Sequence, residues 1–187
     1  MNTGDGLQRM DWSYFTRPIV EETINKALPI VKNFEWTWDD DKTRSLDELN
    51  GIDLICRLKG TKQPLTCQIK VLAQCQYQTI TVETKNSYTG SEGDWQNDLS
   101  QYLVCIYSSE GTDVKRWAVI DQGRLRIATV TNNLIWQQGS NSRSNAKSDF
   151  KYIPFSEVLE FAPECVFAYG GDWSLDESEE IKERRIN

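Results

Sequence analysis

Two apolar alternations separated by a short polar turn, residues 50–72 (NGIDLICRLKGTKQPLTCQIKVL), constrain this chain more than any other stretch. Side chains alternate along a strand with period two. Ile52, Leu54, Cys56 and Leu58 therefore share one face of a first strand, and Leu65, Cys67, Ile69 and Val71 share one face of a second. Residues 59–64 (KGTKQP) carry the Gly/Pro punctuation of a turn. Both apolar sets are expected to point into a core. The opposite face carries Asp53 on the first strand and Gln68 with Lys70 on the second. Polar residues in such alternation are what a solvated hairpin face looks like. A carboxylate, an amide oxygen and an ammonium on adjacent strands are also the groups that hold a hard divalent cation and position a water beside it.

The rest of the composition narrows the chemistry. The chain has no histidine, which removes His-based triads, His–Cys zinc sites and imidazole general bases. Its five cysteines form no C-x-x-C pair, so zinc is not expected, and Cys56, Cys67 and Cys105 read as small buried hydrophobes. An odd cysteine count without a basic-then-apolar leader fits a reducing compartment, and the expectation is a cytoplasmic protein. No apolar run approaches the roughly 20 residues of a membrane span. The 187 residues suffice for one domain, expected over residues 1–171 and followed by an acidic tail, 172–187.

Charge is unevenly spread. The net charge is −7, yet residues 114–151 hold seven bases against two acids. Within that segment Arg116, Arg124, Arg126, Arg143 and Lys147 are candidates for a phosphate track; ordinary solubilising charge accounts for them equally well.

Periodicity and punctuation set out the remaining elements. Residues 1–17 read as an arm or short helix. A helix capped by Thr16 is expected from about Pro18, with Val20, Ile24, Leu28 and Val31 as its stripe and Pro29 as its end. Residues 34–38 read as a strand and the acidic stretch from Asp39 as a solvated loop, with Asp47 and Glu48 as reserve metal ligands. A third strand is expected over 78–84, a helix capped by Asp94 over 95–103, and a buried strand over 103–107. Residues 116–121 and 125–130 read as a hairpin turning at Gln122-Gly123. Residues 136–148 read as a loop, 150–153 as an edge strand, and 154–159 as a short helix, with Gly170-Gly171 closing the domain.

Gly51-Ile52-Asp53 followed by Gln68-Ile69-Lys70 on the next strand resembles the core of the PD-(D/E)xK nucleases, most of all the Q-x-K (Mrr-like) branch of type IV restriction endonucleases. The likeness covers about residues 18–83. It implies an α/β fold of restriction endonuclease type: an αβββαβ core with a central mixed sheet flanked by helices, here with extra C-terminal strands. It also implies Mg²⁺, for which Mn²⁺ can substitute, bound by Asp53, Gln68 and the Ile69 carbonyl, with Lys70 orienting water. The family places a glutamate on the first helix, and Glu21 or Glu22 would fill that role. If the 78–84 strand paired with the Gln68 strand, Glu83 would help replace the carboxylate that the family more often has at position 68.

The function expected from this resemblance is metal-dependent endonuclease activity on DNA, of restriction, phage or repair type, with no membrane partner and a homodimer as a reasonable assembly. Two other readings stand beside it. One is a nuclease-fold protein without catalysis that binds nucleic acid or protein, motivated by Gln68 and the acidic total. The other is an unrelated α+β interaction protein.

Overall fold

The computed structural model describes residues 4–73, 75–86, 93–141 and 148–173. The chain begins with helix α1 (Gly4–Ala27), followed by β1 (Val31–Trp36), a 3-10 turn and α2 (Asp41–Asn50). Strands β2 (Leu54–Leu58), β3 (Leu65–Leu72) and β4 (Thr79–Asn86) come next, then the short α3 (Asp94–Asn97), β5 (Tyr102–Tyr107) and β6 (Arg116–Asp121). The C-terminal part holds α4 (Gln122–Val130), β7 (Gln137–Asn141), β8 (Ser148–Pro154), α5 (Phe155–Phe161) and β9 (Val166–Gly171).

The strands form two sheets, a six-stranded one in the order β1-β2-β3-β5-β6-β9 and a three-stranded one in the order β4-β8-β7. The first is mixed: β3 and β5 run parallel, from Cys67 opposite Tyr102 to Leu72 opposite Tyr107, while its other neighbours are antiparallel. The apolar face expected for the hairpin is a core face. Leu54, Cys56 and Cys67 are buried with Ile19, Val20, Ile24 and Leu28 of the α1 segment, and with Val104 and Ile106 of β5. The other face of the central sheet is covered too. Leu103, Cys105, Ala118 and Ile120 pack against Ile80, Val82 and Ile153 of the second sheet and against Leu125, Phe155 and Val158. Gln68 and Lys70, opposite Leu103 and Cys105, thus lie on the face on which the second sheet is stacked, rather than on a solvated one.

Several expectations are corrected. The 78–84 strand does not join the Gln68 strand. Its observed form, β4, pairs with β8, from Thr79 opposite Pro154 to Asn86 opposite Ser148, because both of its apolar residues, Ile80 and Val82, serve the second core. The place beside β3 is taken by β5. Helix α1 does not start at Pro18 but runs through it. A proline inside a helix removes one backbone bond and crowds the preceding turn, at about 3 kcal/mol. Tertiary contacts on both sides offset this. The Arg17 guanidinium donates two bonds to Asp39, at 2.9 and 2.6 Å, the Tyr14 hydroxyl donates to the same carboxylate at 3.2 Å, and Ile19 and Val20 are buried.

The acidic stretch read as a loop is α2. Asp40 caps it by accepting from the Lys42 amide at 2.9 Å, and Gly51 ends it in the left-handed region at φ 63°. Residues 122–130, read as the second arm of a hairpin, are helix α4. Asp121 accepts from the Arg124 amide, and Leu125 and Ala128, three apart, are the buried pair, so helical packing overrides the β-branched composition. The helix expected over 95–103 stops at Asn97, where Asp98 turns the chain by accepting from the Ser100 amide at 2.8 Å. Strand β8 is the middle of its sheet rather than an edge, since β7 forms within the stretch read as a loop. β9 was not anticipated; it forms the last strand of the central sheet beside β6. Trp173 lies against Phe155 with ring centroids 4.1 Å apart and the rings tilted by 39°. The acidic tail from 174 onward lies outside the described residues. Among the described residues no helix is long and apolar enough to cross a membrane.

Ile80, fully buried between the sheets, tests the two-sheet arrangement. Ile80→Ala should lower unfolding free energy by about 2–5 kcal/mol in a urea titration. A change below about 0.5 kcal/mol would contradict the packing described.

Candidate functional site

The β2–β3 ladder pairs Leu54 with Cys67, Ile55 with Thr66 and Cys56 with Leu65. Asp53 lies just before Leu54, the last residue of this register. There the side chain takes over from the backbone: Asp53 Oδ2 accepts from the Ile69 amide at 2.6 Å. The Asp53 backbone is held on both sides. Its N–H donates to the Cys67 carbonyl at 3.0 Å, and its carbonyl accepts from the Thr37 amide and hydroxyl, each at 3.0 Å. Thr37 also donates to the Ile52 carbonyl at 2.7 Å. The N–H and C=O of one strand residue point to the same edge, so the Ile69 carbonyl faces the side on which Asp53 sits.

Gln68 is only 2 % exposed, and its Oε1 has no hydrogen-bond partner. A buried acceptor left unmade costs about 1–3 kcal/mol, so this oxygen marks a position where a ligand would be stabilising. Lys70 stands opposite Cys105 of β5. Burial pushes the Asp53 carboxyl well above the usual carboxylate range; the Lys70 ammonium and the Ile69 amide pull it down, and the neighbouring Asp47 carboxyl pushes it further up.

Asp53 thus meets the Ile69 amide and lies within electrostatic reach of Lys70, and a carboxylate, an unpartnered amide oxygen and a backbone carbonyl are donors of the kind a hard divalent cation takes. Among the described residues no three His, Cys, Asp or Glu side chains form a metal-binding group, so the amide oxygen is an essential part of that fit.

The other candidates fall elsewhere. Glu21 accepts from the Trp36 indole at 2.9 Å, and α1 covers the face of the sheet opposite to Gln68. Glu22 is exposed and pairs with Lys26 at 2.7 Å, one helical turn on. Glu83 lies on β4, in the second sheet, so the pairing that would have brought it to Gln68 does not form.

The basic candidates are not aligned as a track. Arg116 begins β6, with its guanidinium 5.9 Å from the Tyr107 ring and 5.7 Å from the Trp173 ring. Arg124 and Arg126 lie past the other end of that strand, in α4. Arg124 donates to the Glu164 carbonyl at 2.9 Å. Arg126 lies 4.0 Å over Trp95 and donates to the Trp95 and Asp98 carbonyls at 2.7 and 3.0 Å, which makes it a strut of the loop before β5. Arg143 and Lys147 lie outside the described residues.

Sequence reasoning missed Asp98. It is buried, and its carboxylate accepts from the Ser100 amide and the Gln122 side-chain amide, while burial raises its pKa. It packs under the turn leading to Asp53: a Cβ on Gly51 would sit 3.1 Å from that of Asp98. The D-x-S signal of a side chain bonding to the backbone two residues on was present at Asp98–Ser100, masked by the apolar spacing around it. No family model matches the chain, and no curated protein or solved structure does either.

The raised pKa of Asp53 fixes a sign. The folded state holds the proton more tightly than the unfolded one, so folding stability falls as pH rises from the unfolded carboxylate pKa toward the raised folded value. Asp53→Asn, which keeps an acceptor for the Ile69 amide, should raise the melting temperature in EDTA at pH 8 and make little difference at pH 4. Thermal unfolding at the two pH values checks this; equal effects at both would contradict it.

Proposed function

We propose that the chain is a metal-dependent phosphodiesterase acting on DNA, with its centre at Asp53, Gln68 and Lys70. The observation that carries this reading is the buried, unpartnered Gln68 Oε1, one residue from the Ile69 amide that the Asp53 carboxylate accepts and on the sheet face that also bears Lys70. The element order supports it. α1, the antiparallel strands β1, β2 and β3, and then β5 parallel to β3 after the short α3 follow the αβββαβ order that the G-x-D/Q-x-K resemblance implies. In this order β1 takes the place first given to the 78–84 strand, and both α2, between β1 and β2, and β4 are insertions.

Asp53, Gln68 Oε1 and the Ile69 carbonyl would hold Mg²⁺ or Mn²⁺. The bound ion would supply Lewis-acid polarisation of a phosphate oxygen and lower the pKa of a coordinated water. The chain's own groups do the rest. The Ile69 amide fixes the Asp53 carboxylate in orientation. The Lys70 ammonium opposes the effect of burial on the Asp53 carboxyl, which stays raised in the absence of an ion, and would place positive charge beside an attacking water and the pentacoordinate phosphate, where charge accumulates in the transition state. A dimer would present two such centres to the two strands of a duplex.

A second reading, a nuclease-fold protein that binds without cleaving, is favoured by Gln68 where a carboxylate is more usual. Plasmid cleavage with Mg²⁺ or Mn²⁺ separates the two. Asp53→Ala and Lys70→Ala should each lower the rate by about 100-fold or more. Equal residual cleavage by the wild type and both variants would remove the catalytic assignment.

A further inference from the structure

We infer that Arg116 is the anion-binding group of a second ligand site, one that takes a phosphate group at the end of the central sheet remote from Gln68. Strands β3 and β5 run parallel, and their carboxyl ends set Leu72 opposite Tyr107. Arg116 stands opposite Tyr107 on the next strand, and Gly171 stands opposite Arg116. The carboxyl ends of parallel strands are where α/β sheets receive their ligands. Gln68, opposite Leu103, lies four residues back along the same parallel pair, about 13 Å away at the rise of a strand. The site is therefore separate from the proposed metal centre and does not depend on it.

Every other arginine whose side chain is described gives hydrogens to an oxygen. Arg17 and Arg57 each fork onto a carboxylate, Arg44 and Arg124 pair with aspartates, and Arg126 donates to two carbonyls. Arg116 Nε and Nη1 are buried and donate to nothing among the described residues. Ring faces hold this guanidinium instead, 5.9 Å from the Tyr107 centroid and 5.7 Å from that of Trp173. Such contacts engage the positive charge and leave the N–H groups free. Both rings are fixed in turn. The Tyr107 hydroxyl donates to the Thr79 carbonyl of β4 at 2.7 Å, and Trp173 Nε1 donates to the Gly170 carbonyl at 3.1 Å with its ring against Phe155. Asp113, the nearest acid in sequence, is taken up by Lys115 at 2.8 Å and by the Ser108 hydroxyl at 3.1 Å. The cation is thus oriented before any anion arrives. A guanidinium presents paired hydrogens that match two oxygens of a phosphate, and buried donors left unmade make such a partner stabilising. A phosphate monoester carries about two charges and three acceptor oxygens, which answers more of the unmade donors than a carboxylate does.

Calorimetric titration of the full chain with inorganic phosphate, in EDTA and at low salt, tests the site. The wild type should bind one phosphate per chain. Arg116→Gln should weaken binding about tenfold or more, and Arg116→Lys should recover only part of the loss, because the charge returns without the fork. Arg124→Gln, the same charge change on an exposed arginine, should leave the affinity within about twofold. Phosphate should raise the melting temperature of the wild type and not that of Arg116→Gln. Thymidine 5′-monophosphate separates the sources: tighter binding than inorganic phosphate, lost in Arg116→Gln, assigns the site to a nucleotide, and equal binding assigns it to the free anion. Wild-type crystals soaked in tungstate give a readout that needs no variant, and an anomalous peak in contact with the Arg116 guanidinium is expected. Acetate binding as tightly as phosphate would overturn the ligand class. Phosphate binding unchanged in Arg116→Gln, equal loss in Arg124→Gln, or a tungstate peak only elsewhere would overturn the assignment to Arg116. A wild type that takes up no phosphate at millimolar concentration would overturn the inference and leave the metal centre standing.

Discussion

The ladder between β2 and β3 ends at Leu54, and the residue that ends it does so with its side chain. Asp53 accepts the Ile69 amide on its carboxylate, where a further strand residue would have offered a carbonyl. Everything at the candidate centre follows from that substitution. The regular pairing stops at Leu54 and the Asp53 carboxylate is fixed by a backbone donor. Thr37 and Cys67 hold the Asp53 backbone so that the carboxylate cannot swing away. A centre of this kind is built on paired strands and a capped helix end, the rigid parts of a fold, which is what positioning to a fraction of an ångström requires.

The surroundings concentrate polar groups in a place where an apolar core would have been more stable. Asp98, Ser100 and Gln122 are buried under the turn that leads to Asp53, Arg126 satisfies two carbonyls beside them, and Gln68 leaves an oxygen without a partner. Buried polar groups carry a high penalty when unsatisfied and fix a unique geometry when satisfied. The bonds of Asp98 to Ser100 and Gln122 brace the α2–β2 corner, while Gln68 and Gln122 each keep an Oε1 without a partner.

Much of this was legible in the sequence, and the failures have identifiable causes. The hairpin, its apolar face and the shared face of Gln68 and Lys70 follow from strict alternation, which survives in the structure because one face packs on α1. What alternation cannot tell is which strand lies next to which. Ile80 and Val82 give β4 an apolar face that suits either sheet, so its pairing with β8 is a tertiary choice. Helix α2 was readable from Asp40 and Gly51 as cap residues, and was obscured by its charge. Helix α4 was hidden by its β-branched residues, although Asp121 gave it a cap. The long α1 was hidden by Pro18, whose penalty is offset by contacts with Asp39, more than twenty residues away, and by burial of Ile19 and Val20. The basic segment misled because charge in sequence does not say what a guanidinium touches: Arg126 faces backbone carbonyls and an indole.

The central claim is that the Gln68 oxygen and the Asp53 carboxylate are partners of one ion. Anomalous scattering from crystals soaked in Mn²⁺ addresses it directly. The account predicts a single strong peak per chain in contact with Gln68 Oε1 and Asp53. A structure in which Gln68 Oε1 is satisfied by an ordered water or a neighbouring donor, with manganese bound elsewhere or not at all, would contradict it.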